Sequence, residues 1–237
     1  MLAVPYLAGL ATAPRAGWFL VPLLPAWLGG YLAFNAASGW LKAAPVKRAR
    51  YLPPLLTYGA ITGAALVATV ALAGPAILWW SVAFVPLLAV AFWLAAHRRE
   101  RALIGGAATV AAASLLVLVV AAPDPANLGT LGPRPWAAAL GCFAYFVGTI
   151  IHIKSLLRER GKRSWVFANA AWHAGWTTLA LVAAAFDLAG WWWAALFAVA
   201  TVRSIVLPKL DHPMTPMRLG LVELALSASL TLGAWLG

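Results

Sequence analysis

Residues 102–122 read Ala-Leu-Ile-Gly-Gly-Ala-Ala-Thr-Val-Ala-Ala-Ala-Ser-Leu-Leu-Val-Leu-Val-Val-Ala-Ala. That is 21 residues without a charge, and about 20 apolar residues are what an α-helix needs to cross a bilayer. Arg98-Arg99-Glu100-Arg101 precede the run and Pro123-Asp124-Pro125 follow it. A charged entry and a proline-rich polar exit are the boundaries expected of a helix immersed in lipid.

The same pattern repeats outward in both directions. Apolar runs lie near 1–12, 17–36, 54–73, 76–96, 102–122, 135–157, 165–186, 189–207 and 217–236. Gly74-Pro75 makes a tight turn, Asp187 and Gly190 punctuate a hairpin, and Pro208, Pro213 and Pro216 fix the last connection. A β-barrel would instead show alternating strands of about ten residues. The expected fold is all-α: a polytopic transmembrane bundle of about nine spans, one domain over residues 1–237. Composition agrees, because 64% of residues are hydrophobic and 10% charged, against about 25% charged in soluble domains.

Charge settles the expected orientation. Assigning alternate connections to alternate sides puts fifteen cations on one side: Lys42, Lys47, Arg48, Arg50, Arg98, Arg99, Arg101, Lys154, Arg158, Arg160, Lys162, Arg163, Arg203, Lys209 and Arg218. Arg15 and Arg134 alone fall on the other. Basic loops stay in the cytoplasm, so the N-terminus is expected inside and the C-terminus outside. The net charge of +11 is thereby explained by topology, and nucleic acid is not an expected partner. Trp18, Trp79, Trp80, Trp136, Trp191, Trp192, Trp193 and Trp235 fall near the outer boundary, with Trp40, Trp93 and Trp165 near the inner one. These are belt positions; Trp27, Trp172 and Trp176 lie deeper. The first run is short of a full span and has neither a basic start nor a cleavage site. It is read as an interfacial piece, or as the visible part of a longer helix. Gly59 and Gly63 form a small-residue face on the third span, expected to pack closely against a neighbour.

Polar groups inside lipid are costly and need a reason. Asn35 lies at the inner end of the second span, and His152 and Lys154 at that of the sixth, followed by Arg158, Glu159 and Arg160. His173 lies about two turns into the seventh span and Glu223 about one and a half turns into the ninth. Lys154 can snorkel to the phosphate layer. A carboxylate at the depth of Glu223 must be neutral, ion-paired or facing a polar cavity. These eight residues are the candidate ligand-binding set, with no catalytic role assigned. The sequence has no CxxC or HExxH metal motif and no Walker A loop. Cys142, the sole cysteine, sits in an apolar run and reads as a small core residue.

Three segments carry a family resemblance. They are Arg98-Arg99-Glu100-Arg101, the stretch His152-Ile153-Lys154-Ser155-Leu156-Leu157-Arg158-Glu159-Arg160-Gly161, and Arg218-Leu219-Gly220-Leu221-Val222-Glu223. Their order and spacing resemble the YwiC-like family of bacterial integral membrane proteins, over nearly the whole chain. That resemblance implies the bacterial inner membrane and brings no activity with it. The family usually opens with a Gln-His-Gly-Ala-Trp stretch, whereas this chain begins at Met1 just after that place, as a late start or a truncation would produce. Members also tend to carry Asn-Asp where this chain has Gly105-Gly106. The layout is also similar to the UbiA prenyltransferase superfamily, whose cytoplasmic loops hold Mg²⁺ through Asp-rich motifs. The corresponding stretches, 35–42 and 152–161, contain one acid, Glu159. Two Mg²⁺ sites need more carboxylates than that.

Four functions fit these residues. The leading expectation is non-enzymatic: a cytoplasm-facing polar pocket that binds or transports a small anionic molecule or a lipid head group. A divergent UbiA-like lipid-modifying enzyme is the alternative, with Asn35 and Glu159 as remnants of metal ligation. A haem-binding subunit would use His152 and His173, although their depths along the two spans differ by several Å at about 1.5 Å per residue. A structural role in a larger membrane complex completes the set, with its protein partners unspecified.

Overall fold

Apolar runs fold as helices, which continue through internal Pro25 and Pro86. The computed structural model describes residues 2–99, 102–209 and 215–236. Among them are α1 (Ala3–Thr12), α2 (Leu20–Lys42), α3 (Leu52–Ala73), α4 (Ser81–Ala96), α5 (Leu103–Ala121), α6 (Pro133–Ile153), α7 (Arg163–Ala185), α8 (Trp191–Val206) and α9 (Pro216–Leu236), with no strand among the described residues. The protein is an all-α polytopic bundle. Lipid offers backbone groups no partner, and a helix satisfies its own.

Prolines set the starts. Pro133 and Pro216 open α6 and α9, where a missing N–H costs nothing. Gly74, at φ 90°, stops α3 in a conformation open to glycine. A 3₁₀ turn over Pro75–Trp80 then leads into α4. Helix α2 runs past the expected residue 36 to Lys42.

Contacts between connections identify the two ends. At one end the Arg98 guanidinium donates to the Lys42 carbonyl (3.5 Å). At the other, Trp80 Nε1 donates to the Ala122 carbonyl (3.1 Å) and Arg134 to the Ala234 carbonyl (3.4 Å). The basic connections gather at the first end.

Among the described residues, seven helices are long and apolar enough to cross a membrane. α1 has 10 residues and is too short for that. α7 has 23, but Asn169, His173, Thr177 and Thr178 dilute its apolar character. That polarity is turned inward, as described below. α1 packs against the bundle: Ala8 is fully buried, and a Cβ on Gly9 would lie 2.8 Å from Val120 Cβ of α5. α5 and α6 form the centre of the bundle, with Val110, Val117, Val120, Ala138, Cys142 and Tyr145 all inaccessible.

Three expectations need correction. Trp80 and Trp193 are not belt residues; both are buried, Trp80 through its bond to Ala122 and Trp193 against Gly141, where a Cβ would clash with its ring. The Gly59/Gly63 face meets nothing within 4 Å, because α3 is peripheral and buries little beyond Thr69. Close packing occurs instead at Gly29, where a Cβ would come within 2.8 Å of Thr62 Oγ1.

Candidate functional site

Four helices converge on one group of buried polar side chains. α6 presents Tyr145, Thr149 and His152, which share a face because residues three and four apart on a helix are neighbours. α9 supplies Glu223, whose Oε2 accepts from Tyr145 Oη (2.9 Å) and Thr149 Oγ1 (2.8 Å). The other carboxylate oxygen pairs with the Arg203 guanidinium of α8. Only 6% of the Arg203 side chain and 13% of that of Glu223 are exposed, so this ion pair lies inside the protein, where each charge requires the other.

Asn169 of α7 extends the group. Its side-chain amide lies 3.0 Å from His152 Nδ1 and donates to the Ser204 carbonyl at 3.4 Å. His152 and His173 meet edge to face with ring centroids 6.4 Å apart. His173 lies on Gly148, where a Cβ would come within 2.5 Å of its Cε1. His152, Asn169 and His173 are wholly buried. His152 Nε2, Asn169 Oδ1, and Arg203 Nε and Nη2 have no hydrogen-bond partner among the described residues. Chemically this is a polar clamp across α6, α7, α8 and α9.

A cleft of about 500 Å³ opens beside the clamp at the basic end. α6 continues into it through a π-helical turn, Lys154–Arg158. Such turns are rare and often found at functional sites. Arg160, Arg163 and Lys209 line the cleft together with Ser155, Phe167, Ile205 and Leu219, and among the described residues no acid lines it. Three of its residues stand one helical turn from the clamp. Ser155 is one turn from His152 and its Oγ donates to the His152 carbonyl (2.8 Å). Ala170 is one turn from His173 on α7, and Leu219 one turn from Glu223 on α9.

The model of the family described as YwiC-like protein matches residues 1–121, just over half of the chain. This chain belongs to the YwiC-like family. The Bacillus subtilis (strain 168) protein named "Uncharacterized protein YwiC" is 28% identical over 193 residues, covering 77% of this chain and 78% of the relative. No solved structure matches, so the UbiA-like layout gains no structural counterpart. The family match spans α1 to α5, whereas the clamp and the cleft are built by the second half of this YwiC-like chain.

The eight expected residues separate into three groups. His152, His173 and Glu223 meet in the clamp, and of the three states open to Glu223 the structure shows an ion pair, with Arg203. Arg160 lines the cleft. Asn35, Lys154, Arg158 and Glu159 belong to neither. Asn35 is exposed and donates to the Tyr31 carbonyl of its own helix (2.8 Å). Lys154 Nζ sits 4.5 Å from the Trp165 ring centre, and Arg158 is exposed. Glu159 pairs with Lys162 at 2.6 Å; that hydrogen bond holds its carboxyl below the usual range. No group of three or more His, Cys, Asp or Glu side chains comes together among the described residues.

Counting along the helices puts the two histidines at different depths, whereas their rings pack edge to face, with Asn169 beside the His152 ring and Gly148 under that of His173.

Several residues escaped the sequence reading of this YwiC-like protein: Tyr145, Thr149, Asn169, Arg203 and Ser204. A signal for them existed. Asn169, His173 and Thr177 recur every four residues on α7, and Tyr145, Thr149 and His152 share one face of α6. Arg203 was counted as a topology charge, yet its side chain turns into the bundle to reach Glu223.

Proposed function

We propose that this YwiC-like membrane protein binds the anionic group of a small molecule or lipid head group in the cleft between α6, α7, α8 and α9. The observation that carries the reading is the cleft's charge: Arg160, Arg163 and Lys209 line about 500 Å³, with no carboxylate among the described residues that line it. Guanidinium groups suit phosphate and carboxylate because their planar donors bind two oxygens at once. The volume lies in the range of small-molecule sites. The clamp gives the cleft a rigid base, since residues lining it are one turn from His152, His173 and Glu223.

The basic end is assigned to the cytoplasm by the positive-inside rule, in a bacterial inner membrane. The reading is of a binding or transport protein. A UbiA-type reaction is disfavoured, because Asn35 bonds within its own helix and the Glu159 carboxylate is taken by Lys162.

The test is calorimetric titration of the detergent-purified protein with short-chain phosphatidylglycerol and with glycerol 3-phosphate. Binding of either, lost in the triple variant Arg160→Gln, Arg163→Gln, Lys209→Gln, supports the reading. Absence of binding to both, or equal binding by the triple variant, refutes it.

A further inference from the structure

We infer that the cleft takes an anionic membrane lipid, which enters sideways from the bilayer with its phosphate toward the three cations and its chains along the apolar wall. This rests on the anion-binding reading above and names the ligand class. The shared chemistry is a phosphate, and two sources could offer one: a lipid or a soluble phosphoester. Three observations favour the lipid.

The first is the composition of the wall. Among the described residues Arg160, Arg163 and Lys209 are the only charged lining residues; the others are apolar or small apart from Ser155, and include Leu157, Phe167 and Ile205. A site for a soluble phosphoester would hold more neutral hydrogen-bond donors, since every oxygen taken from water needs a replacement partner. An amphiphile needs polar contacts at one end only.

The second is where the wall leads. Phe167 is 75% exposed, Leu157 47% and Ile205 40%. On a membrane-spanning bundle such side chains face acyl chains. The apolar lining is therefore continuous with the lipid-facing surface of α7 and α8, and a lipid can slide in without crossing water.

The third is the rim. Arg160, Arg163 and Lys209 are all exposed, and none has an ion-pair partner among the described residues. The nearby carboxylate of Glu159 is taken by Lys162. The cations thus remain available at the level where Lys and Arg meet anionic head groups. Each such cation strengthens attraction to an anionic surface by about fivefold.

The experiment is native mass spectrometry of the full chain released from mixed micelles. These contain equal phosphatidylglycerol and phosphatidylcholine of the same chain length, with and without millimolar glycerol 3-phosphate. The wild type should retain phosphatidylglycerol over phosphatidylcholine by about tenfold or more, and glycerol 3-phosphate should not displace it. Arg160→Gln with Arg163→Gln should bring the preference close to parity. Lys47→Gln with Arg50→Gln removes the same charge at the α2–α3 connection and should leave the preference intact. All four cations are exposed, so folding is not at stake; should a variant nonetheless fail, the wild-type comparison of lipid with glycerol 3-phosphate decides. If glycerol 3-phosphate displaces the lipid at equal concentration, the lipid inference falls while anion binding stands. If the two lipids are retained equally and glycerol 3-phosphate does not bind, both fall. If Lys47/Arg50 variants weaken retention as much as Arg160/Arg163 variants, the preference belongs to the whole basic surface, and the lipid inference is overturned.

Discussion

Replacing Glu223 by alanine would leave the Arg203 guanidinium inside the bundle without its counter-charge. The side chain of Arg203 is 6% exposed, so water cannot take over. Breaking a buried pair by removing one partner costs about 3–5 kcal/mol. The hydroxyls of Tyr145 and Thr149 would lose their acceptor as well, at about 0.6 kcal/mol each inside a membrane protein. The expected loss is therefore about 4–6 kcal/mol. Glu223→Gln keeps an acceptor and should cost less. The double variant Arg203→Met, Glu223→Gln should recover most of the loss, because a buried pair exchanged for neutral groups is often close to neutral. The assay is reversible unfolding by SDS in mixed micelles, followed by intrinsic fluorescence of the 14 tryptophans. A Glu223→Ala cost under about 1 kcal/mol would refute the clamp. So would additive effects of the Arg203 and Glu223 changes, since coupled neighbours depart from additivity by about 0.5–3 kcal/mol.

Other consequences follow from the same geometry. Gly148→Ala pushes a methyl to 2.5 Å from His173 Cε1; the expected cost is about 1–3 kcal/mol, read by the same SDS titration, whereas Gly59→Ala, which meets nothing within 4 Å, should be silent or stabilising. Lys162→Ala removes the hydrogen bond that lowers the Glu159 carboxyl, so its titration, followed by carboxyl-carbon NMR, should move up toward the ordinary value. The sign follows from a depressed carboxyl: the pair contributes above the unfolded-state value and is lost as pH falls through the lower folded one, so Lys162→Ala should be felt at neutral pH and not in strong acid. Orientation can be read with single cysteines, because Cys142 is inaccessible. In intact cells an impermeant maleimide should label Asn127→Cys and spare Ser164→Cys; the reverse pattern would invert the topology.

The fold class was legible because lipid leaves so few solutions. A run such as 102–122 has one stable form in a bilayer, and Pro, Gly and charge mark its ends. The clamp was legible only in part. His152, His173 and Glu223 stood out as isolated polar groups in apolar runs. Their partners did not, since Tyr145 and Thr149 are ordinary residues in membrane helices, and a counted register cannot reveal tilt. Arg203 was the instructive miss. Its place near the end of α8 fits a topology charge, and only the packing of α9 against α8 shows that it points inward. Lys154 and Arg158 show the converse: prominent in the sequence, they sit on Trp165 and at the surface rather than in the cleft. Lys209 of the cleft was likewise first read as topology alone.

The most direct test of the binding account is a cryo-electron microscopy map of the full chain in nanodiscs prepared from native membrane lipid. Elongated density in the cleft, its head within hydrogen-bonding reach of Arg160, Arg163 and Lys209 and its tail along Phe167 and Ile205, is the predicted result. A cleft closed by protein side chains, with lipid density confined to the outer surface of the bundle, would contradict it.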